Sequence, residues 1–156
     1  MSWTIRPARL ADVPALVALR RVMFEAMGHR DGEALDRMGE ASTRYFEETI
    51  PTGAFRAWIA ELEGRPIASI GLIVHSVPPA PGRTIGKEAY IMSLVTVPEH
   101  RRRGIAGALV RRVLDVARAE GIPVASLHAT RIGRGIYERA GFRFDSECPE
   151  MRLRLA

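Results

Sequence analysis

The sequence predicts a mixed α/β fold, a sheet of six to seven strands flanked by helices, and three observations carry that reading. Apolar stretches of period two and of helical spacing follow one another in the order β-α-α-β-β-β-α-β-α-β-β. Residues 89–97 are apolar on both alternating faces, Tyr90, Met92 and Leu94 against Ala89, Ile91 and Val95. A central strand covered on both sides needs that pattern. The strand runs into Pro98 and a basic, glycine-containing turn that opens a long amphipathic helix.

Trp3 to Arg6 reads as the first strand, and Asp12 as the N-cap of the first helix. In that helix Leu16, Leu19, Met23, Phe24 and Met27 recur at helical spacing until Gly28, a stripe read as core packing. A less regular helix over 33–49 ends before Pro51. Residues 55–62 and 67–75 form a hairpin turning near Glu63-Gly64-Arg65-Pro66. Val77-Pro78-Pro79-Ala80-Pro81-Gly82 is a loop, because proline removes the donors a strand needs. The next helix buries Ile105, Leu109, Val113, Leu114 and Ala117, and Gly121 caps it. Residues 124–129 are a strand, and a short helix runs through Tyr137, its start weakened by Gly133 and Gly135. Residues 142–145 and 151–155 close the chain as strands. Without repeats or a linker, residues 1–156 read as one domain.

At 156 residues the chain can bury a core of its own, and 47% hydrophobic with 26% charged residues is globular composition. No apolar run reaches the length of a membrane span, and the first residues lack the plan of a signal peptide. Cys148 is the only cysteine, which excludes an intramolecular disulfide and a cysteine metal cluster. A cytoplasmic protein, with no membrane and no metal, is expected. The net charge of +5 comes from arginine, Lys87 being the sole lysine. Such a surface suits either nucleic acid or a cofactor with several phosphates. Only Arg101, Arg102 and Arg103 form a compact cluster, and they sit at a helix start, which favours the cofactor.

The physics of that turn is specific. The first backbone N–H groups of a helix have no intrahelical acceptor, and with the helix dipole they attract anions. Gly104, Ala106 and Gly107 allow a bulky anion close to the backbone, and the arginines add charge-assisted bonds. Residues 101–107 therefore read as a phosphate cradle.

Arg101-x-x-Gly104-x-Ala106 resembles the Arg/Gln-x-x-Gly-x-Gly/Ala signature of the GNAT acyltransferase superfamily. Leu127-His128-Ala129-Thr130 is similar to that family's fifth strand, and Ile136-Tyr137-Glu138-Arg139-Ala140-Gly141-Phe142 to its tyrosine-bearing helix and exit. The order and separation of all three agree. The resemblance implies a mixed, mostly antiparallel sheet splayed between its fourth and fifth strands. It implies acetyl-CoA as cosubstrate, its pyrophosphate held by Arg101, Arg102, Arg103, Gly104, Ile105, Ala106 and Gly107. Backbone groups of Leu94, Val95 and Thr96 would pair with the pantetheine arm, one N–H polarising the thioester carbonyl. An amine, small-molecule or peptide, would attack the thioester directly, and Tyr137 would act as general acid on the departing thiolate. Members often form homodimers, and the alternating end Met151-Arg152-Leu153-Arg154-Leu155 suits such an edge.

Glu25, His75, Glu88 and His128 are base candidates by residue type, and none is singled out as catalytic. Cys148, with no motif around it, reads as a structural thiol. Two rivals to the acyltransferase remain: an inactive acetyl-CoA sensor and a basic nucleic-acid-binding module. The acceptor carries no readable motif.

Overall fold

A computed structural model describes residues 2–155. β1 (Trp3–Pro7) leads through a 3-10 turn into α1 (Val13–Ala26) and α2 (Gly32–Thr49). β2 (Arg56–Leu62), β3 (Arg65–Ser76) and β4 (Lys87–Thr96) follow, then α3 (Ile105–Ala119), β5 (Ala125–Leu127) and α4 (Arg134–Arg139). The five strands lie in the order β1-β2-β3-β4-β5. The first three pairings are antiparallel and β4–β5 is parallel.

The two helices that follow β1 start differently. Asp31 caps α2 by accepting the Ala34 N–H at 3.1 Å. Asp12 immediately precedes α1, but its carboxylate makes no cap bond to that helix. It accepts the Arg9 N–H at 2.7 Å and a two-pronged contact from Arg6 at 2.7 and 2.8 Å. Arg6 also reaches Glu61, so one guanidinium ties β1, the 3-10 turn and β2 together.

The sheet is covered on both faces. One layer of core packs Trp58, Ile70, Leu72 and Ile91 against Ile105, Leu109, Val113 and Ala117 of α3, with Tyr137 from α4. The other packs Ile59, Phe55 and Ala57 against Val13 and Leu16 of α1 and Phe46 of α2. This double cover explains why β4 reads as apolar on both sides.

The strand count is five among the described residues rather than six to seven. Beyond α4 the Asp145 carboxylate accepts the N–H groups of Glu147 and Cys148, turning the chain, and residues 142–155 enter no ladder. Met151, Leu153 and Leu155 alternate as a strand would, yet they are 93, 80 and 90% exposed. Alternation selects a face to bury but supplies no neighbouring edge, and the neighbouring β5 offers only three residues.

Candidate functional site

The site forms where β4 and β5 part. Their pairing covers only Ala89↔Ala125, Tyr90↔Ser126 and Ile91↔Leu127. From Met92 to Thr96 the β5-facing edge of β4 has no strand partner. On its other side β4 carries a bulge: Gly71 faces Met92 and Ser69 faces Val95, so Ser93 and Leu94 together oppose Ile70. Ser93 takes a left-handed conformation, φ 55°. A bulge bends and twists its strand, and this one lies where β5 is lost. Of the three expected pantetheine-binding residues, Val95 is buried and Leu94 and Thr96 are half-buried. Leu94 packs against the core layer that holds Tyr137.

The basic turn follows directly. Arg101, Arg102, Arg103 and Gly104 are exposed, and Ile105 buries its side chain in the core, leaving its backbone at the helix start. Gly104 is the α3 N-cap at φ 78°, where side chains are strained, and a Cβ built on it would meet no atom within 4 Å. Ala108 N–H to Gly104 C=O is the first bond of α3, and no side chain caps the helix. The N–H groups of Ile105, Ala106 and Gly107 thus have no hydrogen-bond partner among the described residues, the condition an anion needs. The Arg101 Nε donates to the Thr96 carbonyl at 3.0 Å, joining the strand end to the turn. Nearby, the buried Thr96 Oγ1 and His100 Nδ1 have no hydrogen-bond partner. Unpaired helix N–H groups and an open strand edge fit the phosphates and amides of a CoA thioester.

Tyr137 lies on α4, a helix of six residues that starts late, as its glycines imply. Its ring is 9% exposed and packs edge-on to Phe142 at 6.0 Å. Burial, with Tyr90 nearby, pushes its phenol up to about 12, so it keeps its proton throughout the neutral range. Its hydroxyl makes no hydrogen bond among the described residues.

The base candidates separate by their partners. Glu88 holds Arg83 of the proline-rich loop at 2.8 Å and accepts from Ser126 at 2.6 Å. Glu25 pairs with Arg21 on the outside of α1. His75 is exposed, its ring 5.9 Å from that of Tyr90. His128, just past β5, has both ring nitrogens engaged, Nδ1 with the Tyr90 hydroxyl and Nε2 with the Glu150 carboxylate. With Nε2 donating to the carboxylate, Nδ1 of a neutral ring accepts from the Tyr90 O–H. Burial, then the Glu150 charge, raise the Tyr90 phenol.

Sequence reasoning missed Ser93, Tyr90, Glu150 and Arg20, whose guanidinium donates to the Ser93 hydroxyl at 2.7 Å. Two signals were present. Ser93 is a serine set between Met92 and Leu94 in an otherwise apolar stretch, and Arg20 sits four residues from both Leu16 and Phe24, on the stripe α1 turns inward.

A family profile described as "Acetyltransferase (GNAT) domain" matches residues 4–144. The chain therefore belongs to the GNAT acetyltransferase family. It superposes on a GCN5-related N-acetyltransferase from Ralstonia eutropha JMP134 with a TM-score of 0.86 and 32% identity, over 97% of this chain and 99% of that one. A crystal structure of a predicted acetyltransferase with acetyl-CoA from Clostridium acetobutylicum aligns with a TM-score of 0.86 and 26% identity, over 97% and 96%. Among curated sequences it is 33% identical to N-acetyltransferase 8B of Homo sapiens over 90 residues, 55% of this chain. That match spans 37% of the human protein's length. No helix among the described residues is long and apolar enough to cross a membrane.

Proposed function

We propose that this chain is an acetyl-CoA-dependent N-acetyltransferase, one domain over residues 1–156, that acetylates a small-molecule or peptide amine. The observation that carries the reading is the juxtaposition of two unsatisfied backbone surfaces. The β4 edge from Met92 to Thr96 and the start of α3 are joined by the Arg101–Thr96 bond. An acetyl thioester supplies the activated acyl group. Leu94, Val95 and Thr96 hold its arm by backbone bonds, and Arg101, Arg102, Arg103, Gly104, Ile105, Ala106 and Gly107 hold its phosphates. The amine nitrogen bonds to the carbonyl carbon as the C–S bond breaks, and the sulfur leaves with the electron pair. Tyr137, which is held protonated, donates to that sulfur.

The amine also has to lose a proton. His128 is the base candidate best held for this task, oriented by Glu150, and the proton reaches it through Tyr90, whose hydroxyl gives its own proton to Nδ1 as it accepts the amine's. Three of the exposed apolar residues, Met151, Leu153 and Leu155, suit pairing with a second copy, and we infer a homodimer through this end. The composition and the lone exposed thiol of Cys148 suit a cytoplasmic setting.

The test is a turnover screen with acetyl-CoA across amines, amino acids, aminoglycosides and peptide N-termini, read by release of free thiol. Saturable thiol release that depends on the amine supports an enzyme. Tight acetyl-CoA binding with no release for any class would leave a sensor. Steeply salt-dependent binding to DNA or RNA with no affinity for CoA would replace both by a nucleic-acid module.

A further inference from the structure

Five arginines are part-buried: Arg6, Arg20, Arg21, Arg56 and Arg83. Four of them pair with carboxylates, Arg6 with Asp12 and Glu61, Arg21 with Glu25 and Asp36, Arg56 with Glu120, and Arg83 with Glu88. Arg20 is the exception. Its one side-chain hydrogen bond goes to the neutral Ser93 hydroxyl, and its guanidinium lies over the Phe24 ring at 5.0 Å. No carboxylate of the described residues pairs with it. Burial pushes the guanidinium below its ordinary value, offset in part by Tyr45 of α2. A guanidinium has five donors in a fixed fork, and one hydroxyl leaves most of them unused. A buried cation without an anion is unfavourable, so the site gains by receiving one.

The place of this cation is informative. Ser93 is the first residue of the β4 bulge, and Leu94 begins the strip assigned above to the pantetheine arm. Consecutive Cα atoms are about 3.8 Å apart, so the guanidinium is held one residue away from that strip. It comes from α1, the helix face opposite the core layer that α3 covers. An acceptor anion bound to Arg20 would be held on the α1 side of β4, next to the strip assigned to the pantetheine arm. A single guanidinium carries one positive charge on a planar fork, which matches a monoanionic carboxylate.

We propose that Arg20 is the acceptor-recognition residue of this enzyme, and that the acceptor is a small amine bearing a carboxylate a few bonds from its nitrogen. The inference rests on the acyltransferase reading above. Arg20 binds the carboxylate through the N–H groups that Ser93 does not use, Phe24 stacks on the guanidinium, and the amine is thereby aimed at the thioester.

The experiment compares kcat/KM for a panel of amino acids with that for their primary amides, alongside an amine phosphate monoester, in the parent, Arg20→Met, Arg20→Lys and Ser93→Ala. The parent should favour an acid over its amide. Arg20→Met should raise KM for that acid about a hundredfold and leave the amide unchanged. Arg20→Lys should keep part of the preference, and Ser93→Ala, which removes the one hydrogen bond that holds the guanidinium, should reduce it without reversing it. Acetyl-CoA affinity, measured by calorimetry, should not move in any variant. A parent that uses amides as well as acids, or prefers the phosphate monoester, overturns the proposal even if Arg20→Met fails to fold. So does an equal loss on acid and amide, which would make Arg20 a brace for the bulge. A parent that binds no acetyl-CoA, or turns over no amine, sinks the acyltransferase reading itself and the acceptor proposal with it.

Discussion

Replacing Gly104 by valine is expected to abolish tight acetyl-CoA binding while costing the fold only what a strained residue costs anywhere. The matched control is Gly121→Val at the other end of α3. Both glycines have left-handed backbones, φ 78° and 70°, and at both an added Cβ would meet no atom within 4 Å. Each substitution should therefore cost the fold a similar amount, about 1–3 kcal/mol, or a Tm lower by several degrees. Their surroundings differ. Gly104 borders the N–H groups of Ile105, Ala106 and Gly107, whereas Gly121 donates to the Arg118 carbonyl and faces no open donors. If the valine side chain keeps phosphate from two of those donors, charge-assisted bonds of about 1.5–3 kcal/mol each are lost. Affinity should then fall roughly a hundredfold to ten-thousandfold. Calorimetric titration with acetyl-CoA, run beside thermal unfolding of both variants, separates strain from binding. If Gly104→Val binds acetyl-CoA within about twofold of Gly121→Val, the cradle assignment is wrong.

Tyr137→Phe removes the donor and keeps the ring. Turnover should fall about a hundredfold or more with acetyl-CoA affinity unchanged, and unchanged turnover would leave Tyr137 a packing residue. Because burial raises the Tyr137 phenol from 10 to about 12, its contribution to stability is full below pH 10 and lost as pH rises towards 12. Ultraviolet titration should find one of the three tyrosines ionising last, and Tyr137→Phe should remove that step. The Asp12 carboxyl is held below its ordinary value, first by its hydrogen bonds from Arg6. Its stabilising effect is present above about pH 4 and lost as pH falls through the lowered value. Asp12→Asn should therefore be less stable than the parent at neutral pH, with the gap closing in acid unfolding curves. Sedimentation should show a dimer at tens of micromolar, by rough choice above weak association, that Leu153→Asp dissociates; a monomeric parent refutes the inferred interface.

The parts of this protein legible in its sequence are those that local spacing decides. The stripe of α3, its glycine start and its arginines occupy one contiguous stretch, because a helix N-terminus is built from neighbouring residues. The period of β4 and its place inside the sheet rather than at an edge follow from side chains that are apolar on both faces. Tyr137 sits on a local helix whose glycines announced its short length. Tertiary structure decided the rest. The bulge at Ser93 is a mismatch in count between β4 and β3, which neither strand carries alone. Arg20 meets Ser93 across 73 residues, and His128 collects Tyr90 from the strand before it and Glu150 from the segment after it. The closing strands failed to form because a strand needs an edge to pair with, and an alternating segment contains no information about where that edge lies. Helix chemistry is settled within a few residues of the chain, whereas sheet pairing and the contacts across a cleft depend on which distant segments arrive beside one another.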